Sequence, residues 1–146
     1  MRAIGLRTFL GLVVLSACAP MAVTTPMPSA VNITSPPAAL PPKLAAFSGV
    51  WEGTSDAGYD VRLVVEAISE NQATVVYALG DHPRGIFKGY WVRVTARVVD
   101  SGNALEWEEG GGIGKRHYVM DRSLNSIHGR MSWGDLRASV TLRRAK

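Results

Sequence analysis

The sequence predicts an all-β chain whose folded part is a small antiparallel up-and-down β-barrel of about eight strands. Three observations carry that prediction. From residue 44 onward, apolar and polar residues alternate with the period of a half-buried strand. Short loops rich in Gly, Asn, Asp and Ser interrupt the alternation, and no segment has the spacing of an amphipathic helix. Eight such strands joined in chain order can close on themselves, which removes the two unpaired edges that a flat meander would expose.

The first strand is the opening stretch 47–54. In the second, Tyr59, Val61, Leu63, Val65 and Ala67 share one face against Asp60, Arg62 and Glu66, with Val64 and Ile68 as exceptions. Ser69-Glu70-Asn71 turns the chain, and Ala73, Val75, Tyr77 and Leu79 return on one face. The breaker-rich loop 80–85 follows. The fourth strand is the cleanest, setting Val92, Val94, Ala96 and Val98 against Trp91, Arg93, Thr95 and Arg97 before the turn at 100–103. Leu105 and Trp107 then alternate with Glu106 and Glu108, and Tyr118 and Met120 with His117 and Asp121. Ile127, Gly129, Met131 and Trp133 oppose His128, Arg130 and Ser132. After Gly134-Asp135 the last strand sets Leu136, Ala138, Val140 and Leu142 against Arg137, Ser139, Thr141 and Arg143.

At Gly49-Val50-Trp51 the chain resembles the calycin superfamily of lipocalins and avidins, whose first strand carries a Gly-x-Trp. In lipocalins an arginine of the last strand packs on that tryptophan. The resemblance covers roughly 47–144 and implies that Arg137 or Arg143 closes one barrel end over Trp51. The domain is shorter than most lipocalins and lacks their carboxy-terminal helix, which leaves little room for a large cavity.

Ahead of the barrel lie two segments of different character. Residues 1–17 have a basic start, with Arg2 and Arg7, and an apolar run from 8 to 14 that falls short of the ~20 residues a membrane-spanning helix needs. That is a signal-peptide pattern. Leu15-Ser16-Ala17-Cys18 resembles the lipobox of bacterial lipoproteins, so the resemblance implies cleavage before Cys18 and acylation of its thiol and new amino terminus. Two or more acyl chains anchor a protein stably, whereas one binds only marginally. Ala19, where inner-membrane lipoproteins often carry aspartate, implies sorting to the periplasmic face of an outer membrane. Residues 18–43 hold seven of the eight prolines and predict a disordered tether that holds the domain, residues 44–146, clear of the lipid. The alternative, a strand over 31–34, is opposed by its flanking prolines.

Loss of Arg2 and Arg7 with the signal peptide lowers the formal net charge from +4 to +2, spread along the chain, so nucleic acid is not an expected partner. Cys18 is the only cysteine, so no disulfide within the chain supports the fold. The run Gly110-Gly111-Gly112-Ile113-Gly114-Lys115 misses the phosphate-loop spacing: Glu109 stands where its first glycine belongs, and Arg116 where Ser or Thr should follow the lysine. A hairpin loop is the better reading. His82, His117 and His128 share no metal-ligand spacing, so neither metal nor cofactor is expected. Glu106 and Glu108 share one side of a strand and read as a solvated face; with Glu109 they are the only basis for a hydrolase reading, and the chain is expected not to be an enzyme. Arg93, Arg97, Arg137 and Arg143 read as solvating outer faces or as partners for an anionic headgroup.

What remains is a set of inward-facing residues: Tyr59, Tyr77, Trp107, Tyr118 and Trp133, with Met131 beside them. They are either the packed filling of a narrow barrel or the lining of a small pocket. The second reading predicts a lipid-anchored envelope protein that binds a small apolar or amphipathic ligand. The first predicts a structural lipoprotein with a solid core whose outer wall docks an envelope protein.

Overall fold

Segments that alternate at every second residue bury their apolar faces only by sharing one interior. The computed structural model describes residues 25–146 and shows eight strands that do so. They are β1 (Gly49–Thr54), β2 (Asp60–Ile68), β3 (Gln72–Leu79), β4 (Tyr90–Val99), β5 (Ala104–Glu109), β6 (Gly114–Met120), β7 (Ser126–Trp133) and β8 (Leu136–Arg144). Each pairs antiparallel with the next, and β8 returns to β1 to close the barrel. This is the fold class the alternation predicts. One seam is short: β4 meets β5 only where Arg97, Val98 and Val99 face Glu106, Leu105 and Ala104. Nearer Tyr90 and Glu109 the two strands are unpaired, and there the wall opens.

The two ends of the barrel differ. At the closed end a single helical turn, α1 (Pro42–Ala45), sets Leu44 against Gly102, and Leu40, Leu44 and Phe47 are buried as a plug. Trp51 is fully buried above them and donates its indole N–H to the Phe47 carbonyl at 2.8 Å. The guanidinium of Arg144 lies 4.3 Å from the Trp51 ring centre and donates to the carbonyls of Ser48 and Ala46. A last-strand arginine therefore covers Trp51, but it is neither Arg137 nor Arg143. Arg144 stands directly opposite Trp51 and shares the side of Leu142 and Val140, whereas Arg143 has the opposite parity and pairs at Glu52. Arg137 sits at the other end, bonded to the Gly134 and Leu136 carbonyls.

The register of β2 against β3 slips between Val65 and Ala67, a bulge at Glu66. Beyond it parity inverts, so Ile68 is buried and Ala67 leaves the inward set, which accounts for one exception in the sequence pattern. Val64, the other exception, keeps its outward parity and is buried together with Val76 and Ala78 on the outer wall. The N-terminal segment covers this patch. Pro26 lies close against Gly89, the Ala30 carbonyl accepts from Arg93 at 3.0 Å, and the Asn32 N–H donates to Glu66 Oε1 at 3.0 Å. Thr34 donates both its N–H (2.7 Å) and its hydroxyl (3.0 Å) to the Glu66 carbonyl. Glu66 is buried, and the hydrogen bonds from Arg93 hold its pKa below the ordinary 4.5.

A disordered tether therefore does not describe residues 25–43. The stretch forms no strand, as its prolines dictate, yet it runs down the outer wall from the open end to the closed one. Cys18, the signal peptide and the tether up to residue 24 lie outside the described residues.

Candidate functional site

Tyr77, Trp107 and Tyr118 are too large to leave a hollow where they meet. Trp107 and Tyr118 stack with ring centres 5.2 Å apart, and Tyr77 stands edge-on to both at 5.3 and 6.0 Å. Gly129 of β7 faces Tyr118 directly, and a Cβ there would collide with the ring. The Tyr118 hydroxyl donates to the Tyr77 hydroxyl at 3.2 Å, which donates to Met131 Sδ at 2.8 Å. Burial raises the pKa of both phenols, so they remain neutral donors. These three predicted ligand residues do not line the open cavity above them. They pack as a floor.

Above that floor a cavity of ≈ 520 Å³ opens at the end formed by turns 55–59, 80–89, 110–113 and 134–135. Tyr59, Met131 and Trp133 of the predicted set line it. Loop 80–89 adds Phe87 and His82: Phe87 stands edge-on to Tyr59 at 5.1 Å and to His82 at 5.2 Å. The Trp133 ring lies against the backbones of Gly110 and Gly114, where a Cβ at either position would displace it. That close approach is the use the barrel makes of the glycine-rich hairpin.

The polar group of the cavity was missed from sequence. Arg116 and Glu109 enter the upper interior with side chains only 4% and 7% exposed and 3.4 Å apart. The Tyr90 hydroxyl donates to Glu109 Oε2 at 3.0 Å, and Trp107 Nε1 donates to Oε1 at 3.0 Å. Arg116 Nη1 donates to the carbonyls of Ser132 (2.9 Å) and Lys115 (3.1 Å), and its guanidinium lies 5.3 Å from the centre of the Tyr77 ring. Its Nε has no partner. Burial opposes the charge on Arg116, but Tyr77, Glu109 and Tyr90 outweigh that and raise its pKa. Burial likewise raises the pKa of Tyr59 and Tyr90. The signal was there to read: Arg116 stands two residues before Tyr118, and Glu109 two after Trp107, so both have inward parity.

The remaining candidates lie elsewhere. Glu106 pairs with Arg97 at 2.7 Å and approaches His117 at 3.3 Å on the outer wall, and Glu108 lies beside Lys115, so the carboxylates do not converge on one cleft. His128 meets Thr141 outside the barrel. A second hollow, between His117, His128, Arg130 and Asp56 on the outer wall, is lined mainly by outward polar side chains. Within the cavity both Glu109 oxygens are occupied by donors, an arrangement that holds a polar group in place. No protein-family model, curated protein or solved structure matches this chain.

Proposed function

We propose that the open half of the barrel binds one small amphipathic ligand, and that the protein does so as a lipid-anchored component of a bacterial cell envelope. The observation that carries the reading is the ≈ 520 Å³ cavity, apolar around Tyr59, Phe87, Met131 and Trp133, with a buried guanidinium whose Nε is unpaired. Ligand pockets usually measure about 300–1,000 Å³ and combine apolar walls with a few fixed polar groups. The aromatic floor stops a long chain from threading the barrel, which suits a small molecule or a single short acyl tail. Trp51 beneath Arg144 supports a calycin-like barrel, a fold that resemblance associates with small apolar ligands. The motif at Cys18 supports the anchor, and Ala19 the outer membrane.

The test is titration with decanoate, decanol and an anilinonaphthalene probe, followed by tryptophan emission, which Trp133 at the mouth should report. Ala138→Trp, which fills the cavity from its wall, should abolish uptake, and Tyr77→Phe in the floor should leave it unchanged. Absence of uptake, or uptake that survives Ala138→Trp, would sink the reading in favour of a structural protein that docks an envelope partner through its outer wall.

A further inference from the structure

We infer that the open end of the barrel docks on a lipid bilayer, with the apolar side chains of its mouth entering the interface. The inference goes beyond ligand binding and does not require an occupied cavity, and its choice of a bilayer as the occupant rests on the lipid anchor at Cys18 proposed above.

The exposed apolar side chains are unevenly placed. Four of the large apolar side chains exposed among the described residues, Ile86 (49% exposed), Ile113 (56%), Trp133 (43%) and Leu136 (52%), belong to the mouth; Val31 and Ile33 lie singly on the N-terminal segment along the outer wall, Trp91 lies on the outer face of β4, and the turns of the closed end contribute none. The four at the mouth are drawn together: Trp133 stands opposite Leu136 in the β7–β8 register, the Gly134 N–H donates to the Ile113 carbonyl at 3.3 Å, and Ile86 and Leu136 line the same opening. Single exposed apolar residues are ordinary, whereas a contiguous rim marks an interaction surface. Tryptophan is among the residues enriched at membrane interfaces.

The charges around the rim are mixed. Lys88 pairs with Asp81 and Lys115 with Glu108, while Arg84 and Arg137 are offset in number, without pairing, by Asp56 and Asp135. Such a surface has no net sign to attract an acidic partner, and its contact is apolar.

The path of the chain selects the occupant. Pro26 is held against Gly89 at the mouth end of β4, and six residues separate Thr25 from Cys18. Covalent geometry limits that stretch to about 25 Å. The ten residues of β4, tilted as barrel strands are, rise about 25 Å. An anchor at Cys18 could reach the closed end only by running straight back along the wall at full extension. The described chain therefore leaves the barrel on the mouth side, and a leash this short brings the rim to the bilayer that holds the anchor. Docking of this kind departs from the sequence expectation of a domain held clear of the lipid.

The barrel buries its own core within the described residues, so a chain beginning at Ala19 tests the rim without an anchor. It should sediment with phosphatidylcholine vesicles and with phosphatidylethanolamine–phosphatidylglycerol vesicles alike, and brominated acyl chains should quench its tryptophan emission. Ile86→Ser with Leu136→Ser, both exposed positions, should weaken binding about tenfold or more, and Trp133→Phe should remove the quenching. A chain beginning at Cys18 and coupled through that thiol to a maleimide lipid should show stronger quenching. Binding to neither vesicle, binding that needs anionic lipid and survives the rim substitutions, or a tethered chain whose quenching persists in Trp133→Phe would overturn the inference. Probe uptake without vesicles reads the cavity separately. Uptake without docking refutes the membrane contact alone, and docking without uptake refutes the ligand reading alone.

Discussion

Arg116→Met should destabilise the barrel by about 3 kcal/mol, while Arg116→Met combined with Glu109→Gln should leave it within about 1 kcal/mol of the wild type. At the 3.4 Å between Arg116 and Glu109, the attraction is about 5 kcal/mol at an effective dielectric constant near 20. Removing each ion from water costs several kcal/mol, so the intact pair is nearly balanced against a neutral pair of similar shape. The single replacement removes the attraction and leaves the Glu109 carboxylate desolvated. Glu109 keeps its bonds from Tyr90 and Trp107, which holds the loss to the lower end of the ~3–5 kcal/mol usual for a broken buried pair. The assay is equilibrium unfolding in urea, read as a shift in midpoint at constant slope. Single replacements that cost less than about 0.5 kcal/mol, or a double replacement as damaging as the sum of the singles, would refute the reasoning. The double variant should also lose any preference for decanoate over decanol.

Trp51→Ala should cost about 3–5 kcal/mol in the same assay, because the ring is fully buried, and Arg144→Ala about 1 kcal/mol, whereas Arg137→Ala and Arg143→Ala should stay within about 0.5 kcal/mol. The hydrogen bonds from Arg93 depress the folded-state pKa of Glu66, so its contribution to stability is present above the unfolded value near 4.5 and is lost as the pH falls through the lower folded value. Amide exchange over residues 30–34 should accelerate in that acid range, and Glu66→Gln should remove the pH step. Gly129→Ala should cost about 1–3 kcal/mol because the facing Tyr118 is fully buried and cannot retreat. Gly114→Ala should cost less in thermal unfolding, since Trp133 can swing into solvent, and should weaken probe binding instead.

Much of the site was readable as parity and little of it as depth. Alternation puts Tyr59, Met131 and Trp133 on the inner face, and all three line the cavity. Tyr77, Trp107 and Tyr118 have the same parity and are floor. Alternation says which way a side chain points, while its height in the barrel depends on how all eight strands are staggered. Arg116 and Glu109 flank a glycine run whose local signal is that of a loop, so only the parity of the strands on either side marks them as inward.

By itself the sequence determined the number of strands, their order, their antiparallel pairing through short turns and the inward face of most of them, because period-two alternation is a local property that any barrel must obey. It also determined that residues 25–41 form no strand, since proline has no N–H to give a ladder. Only the tertiary structure decided which arginine covers Trp51, because pairing β8 with β1 sets Arg144 opposite that ring. The bulge at Glu66 buries a carboxylate on the outer wall, and only there do Asn32, Thr34 and Arg93 find a common partner that draws the proline-rich segment onto the barrel. The half-open interior has the same origin. β4 and β5 pair near the closed end and not near the mouth, so the rings fill one half, and the other keeps a cavity with a buried charge at its wall.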